Sequence, residues 1–254
     1  MNKLIILLIG VTFVFGSQHP YRKYEHVKAF IKPLAWKSIE VSMQNDVPPA
    51  AMLAIACVES GYGKSYTARI SANIMNLASS KGEKRLPRLY LPHVKKTYKI
   101  LYNPKEIANY DDKELRYKKR PKSRKKDYRP SRYAGTKEVI DYFDQNPNIR
   151  VDANMRNMED FAKVWISESH RYEAFRKARK DLDKKVDEQG KNVLFEKEIS
   201  VEFIHNIGGK KNSFSLRQSW PRTVVEVMEK VGLVELIQEM KNGESFEDAW
   251  QKGL

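Results

Sequence analysis

Apolar residues recur at helical spacing through most of this chain. Residues 26–43 carry Val27, Phe30, Ile31, Leu34, Ile39 and Val41, and Pro33 interrupts them, so the pattern predicts a kinked or broken helix. Pro48 and Pro49, with Asp46 as a cap, predict a second helix running to about Ser60. Gly61 and Gly63 end it, and residues 65–72 begin a further short helical piece. From 81 to 133 the periodicity dissolves into Pro, Lys, Arg and Tyr, which predicts a long excursion. Alternation around Val139, Ile140 and Tyr142, a turn at residues 145–148 and the run 149–151 together read as a β-hairpin. Residues 158–182 predict one amphipathic helix with Phe161, Val164, Trp165, Tyr172 and Phe175 on its apolar side. Residues 193–207 and 224–240 add two more, with Gly208, Gly209 and Pro221 between them. The sum is a mainly α (α+β) domain with a small β element.

Composition refines this outline. The 254 residues suit one medium domain or two small ones, and 31% charged residues argue against an integral membrane protein. The first residues differ: Lys3 precedes an apolar or small run from Leu4 to Phe15, and Val14 and Gly16 suit the −3 and −1 positions of a cleavage site. Residues 1–16 therefore read as a secretory signal peptide, with an uncleaved anchor as the alternative, and residues 17–254 as the exported domain. The expected location is the periplasm or cell envelope, or the medium. Cys57 is the single cysteine, so no internal disulfide forms; flanked by Ala56 and Val58, it reads as a small core residue.

The formal charge is +15. Between Lys113 and Arg132 eleven Lys or Arg stand against Glu114 and Asp127, a local net of +9. For an exported protein this stretch points to anionic wall polymers or lipid headgroups, with no nucleic acid expected, or else to a solvated loop without a ligand. The tyrosines at 90, 98, 102, 110, 117 and 128 either line a groove or pack the excursion down, and packing is the expectation for most. The histidines at 19, 26, 93, 170 and 205 show no metal-ligand spacing, and neither a Gly-rich phosphate loop nor a Gly-x-Ser-x-Gly elbow is present. Neither a metal nor a cofactor is expected.

One acid stands out. Met52, Ile55, Ala56 and Glu59 fall at i, i+3, i+4 and i+7, so Glu59 continues an apolar stripe on a helix that is apolar all round. Burial disfavours a carboxylate's charged form, as a general acid for glycosidic cleavage requires. The competing reading is a structural ion pair with a cation such as Arg69. Gly61 and Gly63 leave room for a bulky substrate, and Tyr62 supplies a flat ring for a sugar.

The run Glu59-Ser60-Gly61-Tyr62-Gly63-Lys64-Ser65, followed by Ala68-Arg69 and Asn73, resembles the Glu-Ser-Gly-Trp-Gly-x-Ser…Ala-Arg…Asn-Asn-x-Phe-Gly pattern of glycoside hydrolase family 73. The resemblance is specific over residues 48–73. It implies a lysozyme-like α fold with a small β-hairpin, here bearing a long basic insert at 81–132. It also implies cleavage of peptidoglycan glycan strands between GlcNAc and MurNAc, with Glu59 as general acid and Tyr62, Gly61, Gly63 and Asn73 about the substrate. Tyr62 stands where the family prefers Trp, and Met75-Asn76 where it has Phe-Gly. A second carboxylate is expected beyond the motif on a hairpin: Asp141 first, then Glu138, with Glu106 and Glu114 behind, or none if the substrate's N-acetyl group serves. A transglycosylase or muramidase on the same fold, and a non-catalytic wall-binding protein, are the alternatives.

Overall fold

The computed structural model describes residues 18–120 and 123–254; the predicted signal segment lies outside the described residues. The chain is mainly helical with one two-stranded antiparallel sheet, in keeping with the expected fold class.

Helix α1 (Glu25–Asn45) runs unbroken through Pro33, which sits on its exposed side while Val27, Ile31, Leu34, Ala35 and Ile39 are buried. Helix α2 (Pro49–Ser60) starts on a proline, as predicted, and every side chain from Pro49 to Cys57 is buried. Four alanines in that span let neighbouring helices approach closely. Those neighbours are α1, α8 (Lys197–Ile207), α9 (Trp220–Val231) and α10 (Leu233–Lys241). Cys57 is fully enclosed there, and burial pushes its thiol far above the ordinary range, which leaves it a core residue.

After α3 (Tyr66–Ser71) the basic insert folds as a lobe with its own apolar contacts. Ile70 of α3 packs with Leu86, Leu89, Leu91 and Tyr102, and Val94 packs with Leu101 and Leu115. The sheet lies here: β1 (Tyr90–Val94) pairs with β2 (Leu115–Lys119), placing His93 opposite Arg116 and Leu91 opposite Lys118. The tyrosines divide, with Tyr102 and Tyr128 buried and Tyr90, Tyr98 and Tyr117 exposed.

The hairpin expected at 139–151 is instead helical: α5 (Tyr142–Gln145) and α6 (Pro147–Asp160). Pro147 occupies the first turn of α6, where its fixed φ and missing N–H suit a helix start. Buried Ala153, Asn154, Asn157 and Met158 then follow a helical period, against which three alternating residues were too short a signal.

The single helix expected at 158–182 is also corrected. The chain leaves α6 through a π-helical turn (Phe161–Trp165), bends, and resumes as α7 (Glu173–Gln189). His170 stacks on Trp165 and meets Phe175 edge-on at 4.5 Å, so the corner is packed by the aromatics that were assigned to one helix face. Val164, assigned to the same face, is exposed. Between Val224 and Met240 the chain likewise breaks, at Gly232, which has φ +66° and lies so close to His19 that a Cβ would sit 2.4 Å from the imidazole.

The C-terminal helix α11 (Phe246–Gln251) closes the body against Arg22. The guanidinium of Arg22, 3% exposed, donates to the carbonyls of Val231 (2.8 Å), Gly232 (2.8 Å), Ala249 (2.6 Å) and Trp250 (2.9 Å). Burial lowers its pKa to about 10, still charged at neutral pH. Arg22→Met leaves four helix-terminal carbonyls without that donor, and is expected to cost about 3 kcal/mol or more by urea denaturation.

Candidate active site

Glu59 lies in the last turn of α2, half-buried, where the enclosed helix first meets solvent. Gly61 caps the helix in the left-handed region (φ +57°), its N–H donating to Cys57 O. Tyr62 (φ +56°) and Gly63 (φ +74°) continue that conformation, and Ser60 Oγ accepts from Gly63 N at 2.8 Å. The turn thereby reverses the chain and leaves the Glu59 carboxylate at the surface of an otherwise sealed helix.

Two donors fix that carboxylate. Trp220 Nε1 donates to Oε1 at 2.8 Å, and Asn76 Nδ2 donates to Oε2 at 3.1 Å. Trp220 opens α9 and is 1% exposed; Gly208 makes room for it, since a Cβ there would lie 2.1 Å from the indole. Phe214 packs on the other side of the same ring, centroids 5.2 Å apart. Asn76 has φ +54°, a conformation that asparagine tolerates better than most residues with a side chain. Asn76 therefore holds this left-handed position and adds an amide that grips Glu59. Met75, in place of phenylalanine, is fully buried.

The expected ion-pair alternative for Glu59 is not what the fold builds. Arg69 turns the other way, to Asp144 (3.2 Å) and Glu106 (4.0 Å), across the face of Tyr102. Glu59 makes no ion pair among the described residues. Its nearby cation is Lys125 of the insert, whose Nζ donates to Asn76 O; burial holds this amine below its ordinary range and the Glu59 charge opposes that shift. Glu59 thus stands where the helical body meets the insert.

The remaining expected site residues fall in several places. Asn73, 1% exposed, donates to the carbonyls of Leu77 (2.9 Å) and Lys126 (3.0 Å) and accepts from Leu77 N (2.7 Å) and Asn157 Nδ2 (3.1 Å). It braces the loop that carries Asn76 rather than facing a ligand. The Tyr62 ring packs edge-on against His26 and Phe30 of α1, and burial raises its phenol far above the ordinary range. Gly63 makes room for Phe30, which a Cβ would meet at 3.0 Å, whereas the Cβ position at Gly61 is open.

Among the four candidate partner acids, the structure separates engaged from free carboxylates. Glu106 binds Lys99 and lies near Arg69, and Glu114 closes a capping box with Asp111. Glu138 and Asp141 have side chains without a partner among the described residues. Their segment is held by a buried pair, Asp127 and Arg129, both side chains 0% exposed and 2.7 Å apart. Arg129 in turn donates to the carbonyls of Thr136 (2.9 Å), Glu138 (2.8 Å) and Val139 (3.2 Å). Two surface cavities, one at the β1–β2 sheet and one beside the start of α7, do not include Glu59 among their lining residues.

No family model matches this sequence, and no curated protein is significantly similar to it. Among solved structures the chain is similar to the catalytic domain of the autolysin Auto from Listeria monocytogenes, with 13% identity and a TM-score of 0.43 over 83% of this chain and 87% of that one.

Asp144 is the most heavily bonded acid of this region, with Tyr102 Oη at 2.9 Å, Asn103 Nδ2 at 3.2 Å, Arg69 at 3.2 Å and Arg150. Burial disfavours its charge, but the bonds from Asn103, Arg150 and Tyr102 and the charge of Arg69 outweigh burial and hold it below the ordinary range. A depressed folded pKa gives stability that is present above the unfolded value and lost as pH falls through the folded one. Asp144→Asn is therefore expected to lower stability at neutral pH and to flatten the acid side of the stability profile, from about pH 5 downward, in urea titrations.

Proposed function

We propose that this protein is an exported peptidoglycan hydrolase of glucosaminidase type. It cleaves the β-1,4 bond between GlcNAc and MurNAc, with Glu59 as general acid. The observation that carries the reading is the setting of Glu59. It ends a fully enclosed helix, lacks an ion pair among the described residues, and is oriented by one neutral donor on each oxygen.

The chemistry follows from those contacts. Each carboxylate oxygen has two lone pairs and accepts one bond, so a position remains on each for the proton that is delivered to the leaving glycosidic oxygen. As the bond breaks, Glu59 becomes anionic, and the Trp220 and Asn76 donors with the nearby Lys125 charge stabilise that anion. Asp141, with Glu138 as the alternative, is the proposed partner acid, because these two remain free where Glu106 and Glu114 are engaged. Peptidoglycan lies outside the cytoplasmic membrane, which agrees with the signal peptide read from residues 1–16.

A second reading is a lytic transglycosylase on the same fold, in which Glu59 alone serves: it protonates the leaving glycosidic oxygen, then takes the proton of the MurNAc C6 hydroxyl as that oxygen bonds C1 and closes an anhydro ring. Digestion of purified peptidoglycan separates the two by mass spectrometry. New GlcNAc reducing ends are expected, and anhydromuramic ends would establish the transglycosylase in their place.

Glu59→Gln is expected to reduce wall clearing in zymograms by at least about 100-fold with the melting temperature nearly unchanged. Equal clearing by wild type and variant would sink the enzymatic reading and leave wall binding. Trp220→Phe keeps an aromatic side chain but removes the donor, so kcat is expected to fall by about tenfold or more.

A further inference from the structure

The insert carries a second candidate site, at the end of the hairpin away from Tyr90. A cavity of about 470 Å³ is lined by His93, Val94, Lys95, Tyr98, Arg116, Tyr117 and Lys118, with no acid among them. Strand geometry explains the concentration of charge. Arg116 and Lys118 are two residues apart on β2 and so project from the same face, and the register sets His93 on β1 directly opposite Arg116. The side chains of Arg116 and Lys118 have no ion-pair or hydrogen-bond partner among the described residues. Of the nearby acids, Asp111 and Glu114 cap their own turn and Glu106 binds Lys99, while the Asp112 side chain has no partner among the described residues.

Two further features set this cavity apart from an ordinary solvated basic loop. Arg120 donates from Nη2 to His93 Nε2 at 2.7 Å, which fixes the imidazole beside the cations. Desolvation, then the charges of Arg120, Lys118 and Arg116, hold its pKa below the ordinary range. Tyr98, at the rim, has φ +55° and is 80% exposed. A left-handed backbone at a large side chain is strained, and here burial of the ring does not compensate for it.

We propose that this hairpin cavity binds a phosphate monoester or diester, with Arg116, Lys118 and Lys95 on the phosphate oxygens and Tyr98 against the group that bears it. A guanidinium beside an ammonium on one strand face supplies both a fork and a point charge for a tetrahedral anion. The inference is independent of glycan cleavage, and its test does not read activity.

The experiment titrates the full chain at low ionic strength with inorganic phosphate and with glycerol 1-phosphate, following the His93 ring resonances by NMR. Co-sedimentation with phosphatidylglycerol and phosphatidylcholine vesicles forms a separate arm. Saturable shifts of His93 are expected, with affinity falling about tenfold or more in the double variant Arg116→Ala/Lys118→Ala. The same fall is not expected in Lys210→Ala/Lys211→Ala, which removes two cations at the other basic cavity. Tyr98→Ser is expected to weaken glycerol 1-phosphate while leaving inorganic phosphate unchanged. Sedimentation with phosphatidylglycerol alone, abolished by Arg116→Ala/Lys118→Ala, identifies a lipid headgroup as the source; His93 shifts with the soluble phosphates identify a free ester. Equal loss in both double variants, or no saturable response to any probe, overturns the proposal.

Discussion

The enclosure of α2 governs the rest of the molecule. A helix that is apolar on every side, and rich in alanine, has no stable position at a surface, so four other helices must surround it. Its last turn is the one place where it meets solvent, and Glu59 occupies that turn. The candidate site is in this sense a product of packing. The same helices that bury Met52 to Cys57 deliver Trp220 to the carboxylate, and the loop braced by Asn73 delivers Asn76.

The helices with strong local signals were legible. Pro49 at the start and Gly61 at the end bounded α2 without reference to anything distant, and the aromatics at 161–175 were rightly placed in the core. What failed was continuity, because it depends on partners far along the chain. Gly232 breaks a predicted helix where His19 comes close, and the corner after Trp165 forms because His170 packs on Phe175. The sheet was missed because its strands, Tyr90–Val94 and Leu115–Lys119, are far apart in sequence and so charged that alternation is masked.

The site divides along the same line. Glu59 could be found from one helix and one turn. Its partners lie 17 and 161 positions away, beyond any periodicity. In the sequence Asn76 is only a departure from the resembled motif; in the fold it is a positive-φ residue whose amide bonds Glu59. Asn73 drew attention as a motif polar residue, but four internal bonds make it a brace. The basic stretch was visible as charge alone, and pairing into a ribbon is what sorts its cations, leaving Arg116 and Lys118 free on one face while Lys126 binds Glu83 and Asp160.

The contact between Trp220 and Glu59 has an optical consequence. Indole emission depends on the charge and hydrogen bonding at its N–H, and this indole is sealed from water by Gly208 and Phe214 while bonded directly to the acid. Trp36 is half exposed, Trp165 stacks on His170 and Trp250 on Phe246, so each of those rings reports a different environment. The molecule therefore carries its own fluorescent gauge at Glu59, one that needs no label and that any ligand drawing the carboxylate away from Trp220 must disturb.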